Sequence, residues 1–229
     1  MKIVTINGQN HHGSSYHIGK EIANQLEGEI TEFFLPKDLN GFCLGCYNCL
    51  KDETKCYMYE KKKIIWDAME DADLIIFTTP NYCMYASAPM KSFLDFSFDM
   101  WMVHRPKAWM FKKKVVIIST SAGASNKTAI NTIKSSVKGW GVSYIKTIGK
   151  AVHANKWDVI PEKDKKVVDK KINKVVKDLK KNKPVRASLS TKISFKFFGF
   201  LHKKDWDSDP CEKDYWNEKG WLDKNRPWK

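Results

Sequence analysis

Two unbroken apolar runs, Leu74–Phe77 and Val115–Ile118, leave few folds open to this chain. Each is strand-sized, well short of the roughly 20 residues that cross a bilayer as a helix. A strand that is apolar at consecutive positions is buried on both faces, which is the mark of a parallel sheet with helices on either side. Shorter strands are expected around Ile3, Val4 and Ile6, over Glu29–Phe34, and over Gly141–Ile148. Between them lie helical patterns: Ile18, Ile22, Ala23 and Leu26; Lys61–Asp71; Pro89–Asp99; Thr128–Lys138; and Glu162–Lys181, with Val168, Ile172, Val175, Val176 and Leu179 on one stripe. Strands alternating with helices, joined by right-handed crossovers, predict an α/β doubly wound sheet of five parallel strands. The strand over Asp73–Pro80 is expected to stop at its proline. The 229 residues divide into a domain over 1–182 and a C-terminal extension over 183–229.

In that architecture ligands sit beyond the carboxyl ends of the strands, where the winding reverses. Three loops fall there: Gly8–Ser15, Pro80–Tyr85 and Thr120–Gly123, built of Gly, Pro, Ser, Asn, Thr and Tyr. The first runs from strand through a small polar loop to helix, which presents unpaired N–H groups and a positive helix end to a phosphate. Ser14 and Ser15 suit a capping role there, and a plain N-cap after a turn is the other reading of Gly13-Ser14-Ser15.

The residues taken together resemble a known family. Gly8-x4-Gly13-Ser-Ser, Cys43-x-Gly45-Cys46-x2-Cys49, Ala72-Asp73-Leu-Ile-Ile-Phe-Thr-Thr-Pro80-Asn-Tyr82, Met90-Lys91-x-Phe93-x-Asp95 and His104-Arg105-Pro106 occur in the order seen in the flavodoxin-like NAD(P)H-dependent flavin oxidoreductases. The nearest likeness is to the multi-cysteine branch that includes iron–sulfur flavoproteins. It covers Met1 to roughly Ile148 and rests on order and spacing, since no single motif is specific. The resemblance implies a flavodoxin-like fold with strand order 2-1-3-4-5, FMN as cofactor and NAD(P)H as cosubstrate. It also implies hydride transfer to flavin N5 and on to a quinone, nitro compound, flavin or similar small-molecule acceptor.

Carried over by position, Gln9, His11, Gly13, Ser14 and Ser15 would surround the FMN phosphate. Pro80, Asn81, Tyr82, Cys83 and Met84 would run along the ring, and Thr120, Ser121, Ala122 and Gly123 would close its other edge. Two departures stand out. His11 and His12 occupy a region where relatives often carry Arg or Lys, and Phe96 stands where some carry arginine. No Ser-His-Asp set or pair of carboxylates is evident, and a flavin site needs none, because the cofactor carries the reactivity. No catalytic residue is therefore nominated, and Lys91 and Asp95 are read as a helix-surface ion pair.

Cys43, Cys46, Cys49 and Cys56 follow C-x2-C-x2-C-x6-C. Thiolates so spaced suit a [4Fe-4S] cluster. Free thiols beside the flavin edge and a zinc site are the other readings. A cluster would make the chain an electron carrier that couples FMN to ferredoxin. Cys83 and Cys211 are read as a packing residue and an exposed thiol.

With 42% hydrophobic and 29% charged residues, the chain has the composition of a globular protein. No charged-then-apolar leader precedes the first strand, and a cytoplasmic location is expected. The formal charge of +14 is uneven, since Pro161–Lys204 holds 15 Lys/Arg against 4 Asp/Glu. Such a block suits nucleic acid or an anionic surface, or is the solvated face of a helix. The last is preferred, so neither a nucleic-acid nor a membrane partner is expected. His104-Arg105 suits either a nucleotide phosphate or a salt bridge. Beyond Pro184, Phe and Lys alternate and are followed by four Trp, too apolar a stretch to float free. It is read as an arm wrapped on its own domain or on a partner in a homodimer, with a place on a membrane surface for the Phe/Lys portion as the lesser alternative.

Overall fold

Residues 1–206 and 209–229 are described in a computed structural model of the chain. Strands β1 (Lys2–Asn7), β2 (Glu29–Phe34), β3 (Leu74–Tyr82), β5 (Lys114–Ser121) and β6 (Tyr144–Ala151) run parallel in the order β2-β1-β3-β5-β6. A two-residue strand, β4 (Tyr85–Ala86), folds back antiparallel on the end of β3. Five parallel strands in the expected order thus carry one short addition.

Strand side chains alternate between two helical layers. Val4, Ile6, Ile75, Phe77, Val115 and Ile117 face α4 (Tyr59–Asp71), α5 (Ala88–Phe96) and α6 (Lys127–Gly139) through Ile65, Met69, Met90, Phe93, Ile133 and Val137. Ile3, Leu74, Ile76, Val116, Ile118 and Ile148 face α1 (Ser14–Gln25) and α7 (Glu162–Lys180). Each fully buried aliphatic or aromatic side chain contributes about 1.5–3 kcal/mol relative to its exposed state, so the continuous runs in β3 and β5 are the mechanical centre of the fold. A single turn, α2 (Leu35–Asp38), precedes the cysteine segment, and another, α3 (Asn48–Lys51), lies within it and carries Cys49.

Several boundaries differ from expectation by two or three residues, and three of them have a local reason. β3 continues past Pro80 to Tyr82. The Thr78 carbonyl accepts from Gly8 N–H on the β1 side, so Pro80, two residues on, also turns its backbone that way. β1 has already ended at Asn7 there, and the missing N–H breaks no ladder. β6 begins at Tyr144 rather than Gly141, because Gly141 (φ +98°) makes the turn out of α6, with the Phe111 ring where a side chain would stand. The helix expected over Pro89–Asp99 ends at Phe96 and passes into a 3₁₀ turn over Phe98–Met100.

The C-terminal arm forms α8 (Leu189–Lys203) and α9 (Cys211–Glu218) and lies on its own domain. Phe195, Trp216, Trp221 and Leu222 pack with Met102 and Phe111. Trp216 Nε1 donates to the His104 carbonyl and the Tyr215 hydroxyl to that of Pro106, both at 2.9 Å. No helix among the described residues is long and apolar enough to cross a membrane.

α7 is pinned to the sheet edge by Asp178, which pairs with Lys146, accepts from Tyr144 Oη at 3.2 Å and meets Lys181 at 3.2 Å. Hydrogen bonds from Lys146 and then Lys181 hold its carboxyl down to about 2, whereas the unfolded chain titrates near about 3.9. A depressed carboxyl stabilises the fold fully above the unfolded value and loses that effect as pH falls toward about 2. Asp178→Asn is therefore expected to lower the melting temperature at neutral pH and to match the native chain near pH 2. A gap independent of pH in calorimetric scans would refute this.

Candidate functional site

Ser15 lies at the first turn of α1, beside Thr79 of β3 and Thr120 of β5, just past the end of β1. Its hydroxyl donates to the Thr79 carbonyl and accepts from Thr120 N–H, both at 3.1 Å, with the Thr120 hydroxyl 2.7 Å away. One buried oxygen thus ties the first loop to the ends of β3 and β5. Ser87 does similar work, donating to the Gly8 carbonyl at 2.6 Å and capping α5. A Cβ on Gly8 would stand 2.5 Å from Ser87 Oγ and 3.0 Å from Met90 Cβ, so this close approach requires glycine.

The helix end so positioned is open. Gly13, in extended backbone, is the N-cap of α1; no side chain caps it and no acidic residue lies in the first turn. Ser14 and Ser15 do not cap, because Ser15 is turned toward Thr79 and Thr120. The first-turn N–H groups and the positive end of the helix dipole therefore face the loop. His11 folds over Gly13, its Nε2 within 2.8 Å of where a Cβ would be, and Gly13 N–H donates to the His11 carbonyl at 3.0 Å. His12 instead stacks on Tyr16 at 4.1 Å.

The second loop is a tight hairpin. Tyr82 pairs with Tyr85, and Cys83 (φ +49°) and Met84 (φ +73°) form the two-residue turn between them. Positive φ at both central residues is the type I′ geometry normally made by Asn-Gly. Non-glycine residues there cost about 1–2 kcal/mol each, and such strain gathers at binding sites. Tyr82, Cys83, Met84 and Tyr85 are all exposed, so Cys83 is not a packing residue. Asn81 Nδ2 donates to the Ser125 carbonyl at 2.8 Å, joining this loop to the one after β5. In that third loop Ser121 is half-buried and Ala122 and Gly123 are exposed, and the Ser121 and Ala122 carbonyls accept from Val152 and His153 N–H.

Two buried acceptors on this rim, Gln9 Oε1 and Asn81 Oδ1, have no partner among the described residues. Gln9 is 4% exposed and anchored by its amide nitrogen to Thr78 Oγ1 at 3.1 Å. An unpaired buried acceptor costs about 1–3 kcal/mol, so a ligand that donates to both would stabilise the site. An anion at the open helix end, donors to Gln9 and Asn81, and a flat body against an exposed Tyr/Met edge describe FMN, and the residues present fit it. Thr78, Thr79, Ser87 and Asn126 shape the rim without having been nominated from sequence. The Thr78-Thr79 pair before Pro80 was the available signal.

The cysteines surround a cavity of their own. Cys43, Cys46, Cys49 and Cys56 line a cavity of about 260 Å³ together with Tyr57 and Phe98. All are free thiols, and burial pushes Cys49 up to about 11. Among the described residues no three His, Cys, Asp or Glu side chains are drawn together as a metal ion requires. The donor set is right in kind and number, but in this arrangement it does not converge. Arg105 donates to the Lys51 carbonyl at 2.7 Å and stacks on Tyr215, and His104 Nδ1 meets Glu212 at 2.5 Å. Both are occupied in bracing the cysteine segment and the arm. Lys91 and Asp95 form the expected surface ion pair.

A family model described as NADPH-dependent FMN reductase matches residues 1–154. An iron–sulfur flavoprotein of Clostridioides difficile (strain 630) is 26% identical over 180 residues, 76% of each chain. One from Methanocaldococcus jannaschii is 35% identical over 100 residues, 42% of this chain and 51% of that protein. Among solved structures, an FMN-dependent NADH-azoreductase from Bacillus anthracis in complex with FMN superposes with TM-score 0.58 at 10% identity, over 77% of this chain and all of that one. An NADH:FMN oxidoreductase in its apo form gives 0.54 at 15% identity, over 82% and 92%. At such identities the structures speak for the fold alone.

Ser15→Ala is expected to cost about 1–3 kcal/mol in urea unfolding, since it strands a buried N–H and a carbonyl. Thr120→Val leaves both of those bonds in place and is expected to cost less. Equal losses would contradict the central place given to Ser15.

Proposed function

The chain belongs to the NADPH-dependent FMN reductase family, whose model spans two thirds of it, and from that premise we propose that its three-loop rim binds FMN and passes electrons from NAD(P)H to a small-molecule acceptor. The acceptor class is a quinone, nitro compound, free flavin or similar flat oxidant. When bound, FMN supplies hydride acceptance at N5 and onward transfer.

The chain's own residues hold and orient. The first-turn N–H groups of α1 and the His11 ring receive the phosphate, with Gly13, Ser14 and Ser15 forming the cradle. Gln9 and Asn81 supply the unpaired acceptors. Pro80, Tyr82, Cys83 and Met84 line one side of the ring, and Thr120, Ser121, Ala122 and Gly123 the other. The exposed Tyr82, Met84 and Tyr85 leave an apolar rim that suits a nicotinamide, an acceptor or a second copy of the chain. The observation that carries this reading is the coincidence, on one rim, of an uncapped helix end with two unpaired buried acceptors.

One specific observation favours a second reading, that of an iron–sulfur flavoprotein trading electrons with ferredoxin: four thiols share one cavity, and the two curated relatives carry that name. A cluster would require the thiols to draw together from their positions in this structure.

Ser14→Glu puts a carboxylate at the open helix end, where it favours the helix and competes with phosphate. The variant is expected to melt no lower than the native chain and to bind FMN at least about tenfold more weakly. Unchanged FMN affinity would overturn the loop assignment. Iron and acid-labile sulfide assays on anaerobically purified protein separate the two readings. A yellow, iron-free protein that is bleached by NADPH or NADH supports the reductase. A brown one with about four irons per chain, lost in Cys46→Ser while flavin remains, supports the second.

A further inference from the structure

α8 has two apolar faces, and among the described residues only one has a partner. Thr191, Phe195 and His202 are buried against the arm and the domain. Leu189, Ile193, Phe197 and Phe200 are between 54% and 75% exposed, and Trp206 just beyond the helix is 51% exposed. At 100° per residue these four helical positions fall within an arc of roughly 80°, centred nearly opposite the buried set. The side chains that point straight into solvent are therefore the large apolar ones, the reverse of an ordinary surface helix.

Lysines frame the stripe. Lys192, Lys196 and Lys203 form a rail along one edge, and Lys204 Nζ arches over the Phe200 ring at 5.9 Å. From Pro184 to Trp206 the only acidic residue is Asp205, against Arg186 and four lysines. Pairing this face antiparallel with a second copy would set two lysine rails side by side, at a repulsive cost. An anionic surface with an apolar layer beneath it matches both features, because long lysine stems reach phosphates while their bases lie on hydrocarbon.

We propose that α8 is an in-plane anchor on an anionic lipid bilayer, with Leu189, Ile193, Phe197, Phe200 and Trp206 entering the headgroup–acyl boundary and Lys192, Lys196, Lys203 and Lys204 contacting lipid phosphates. The helix is 15 residues long, too short to span but of a length to lie flat. This replaces, for this one helix, the expectation of no membrane partner, and it is independent of the flavin site.

The test is co-sedimentation of the full FMN-loaded chain with vesicles of roughly equal phosphatidylglycerol and phosphatidylcholine, and with phosphatidylcholine alone. Binding is expected to be about tenfold stronger to the anionic vesicles and to weaken as salt rises. It should fall about tenfold in Ile193→Glu/Phe197→Glu and likewise in Lys192→Glu/Lys196→Glu/Lys203→Glu. Both sets lie on the surface, so unchanged flavin absorbance and melting temperature confirm that the variants are folded. Failure of the native chain to sediment with anionic vesicles overturns the proposal, as does binding that ignores both sets of substitutions. A drop in native mass in Ile193→Glu/Phe197→Glu by analytical ultracentrifugation, without native vesicle binding, assigns the face to a second copy instead.

Discussion

Everything at the ligand rim depends on one buried oxygen. Ser15 Oγ joins the first turn of α1 to Thr79, where β1 ends beside β3, and to Thr120 near the end of β5. Without that junction the first turn of α1 would lose its tie to β3 and β5, although Ser87 and Asn81 would still link the loops to one another. With it, the helix end is aimed at a fixed point and left uncapped, because the serine best placed near it is used across the sheet. Ordinary helices satisfy their first N–H groups with their own side chains; here the unpaired groups are held at one end of a rigid parallel sheet, which is the condition for anion binding.

A second constraint follows from register. Gly8 passes within bonding distance of Thr78 and Ser87, so β1 must end beside the middle of β3 and cannot run further. The freed end of β3 then continues through Pro80 and doubles back at Cys83 and Met84, whose positive φ values make the tip a strained, exposed edge. The same sheet geometry thus yields a rigid polar end and an open apolar end, which suits the proposed binding of a cofactor with a charged tail and a flat reactive ring.

The parts readable from sequence are those whose chemistry is local. Unbroken apolar runs such as Leu74–Phe77 announce a doubly covered strand, and Gly, Ser, Pro, Asn and Thr at the strand ends announce loops, because both signals act over a few residues. The roles of Thr78, Ser87 and Asn126 depend on partners across the sheet, and no spacing shows them. Pro80 looks like a stop unless one knows that the neighbouring strand has already ended. In the arm, abundant aromatics say that it must pack, and it does, against Met102 and Phe111. That Phe195 turns inward while Phe197 and Phe200 turn outward follows only once α8 has docked. His104 and Arg105 read equally well as nucleotide ligands or braces, and only their bonds to Glu212 and to the Lys51 carbonyl decide for the brace.

The measurement that bears most directly on the three-loop rim compares FMN with riboflavin, which differ only by the phosphate. Titrating the flavin-free protein with each, and following quenching of flavin fluorescence, isolates what the open end of α1 contributes. An uncapped helix N-terminus aided by His11 and Ser14 predicts FMN binding tighter by at least about a hundredfold, a difference near 3 kcal/mol. Equal affinity for the two flavins would contradict it.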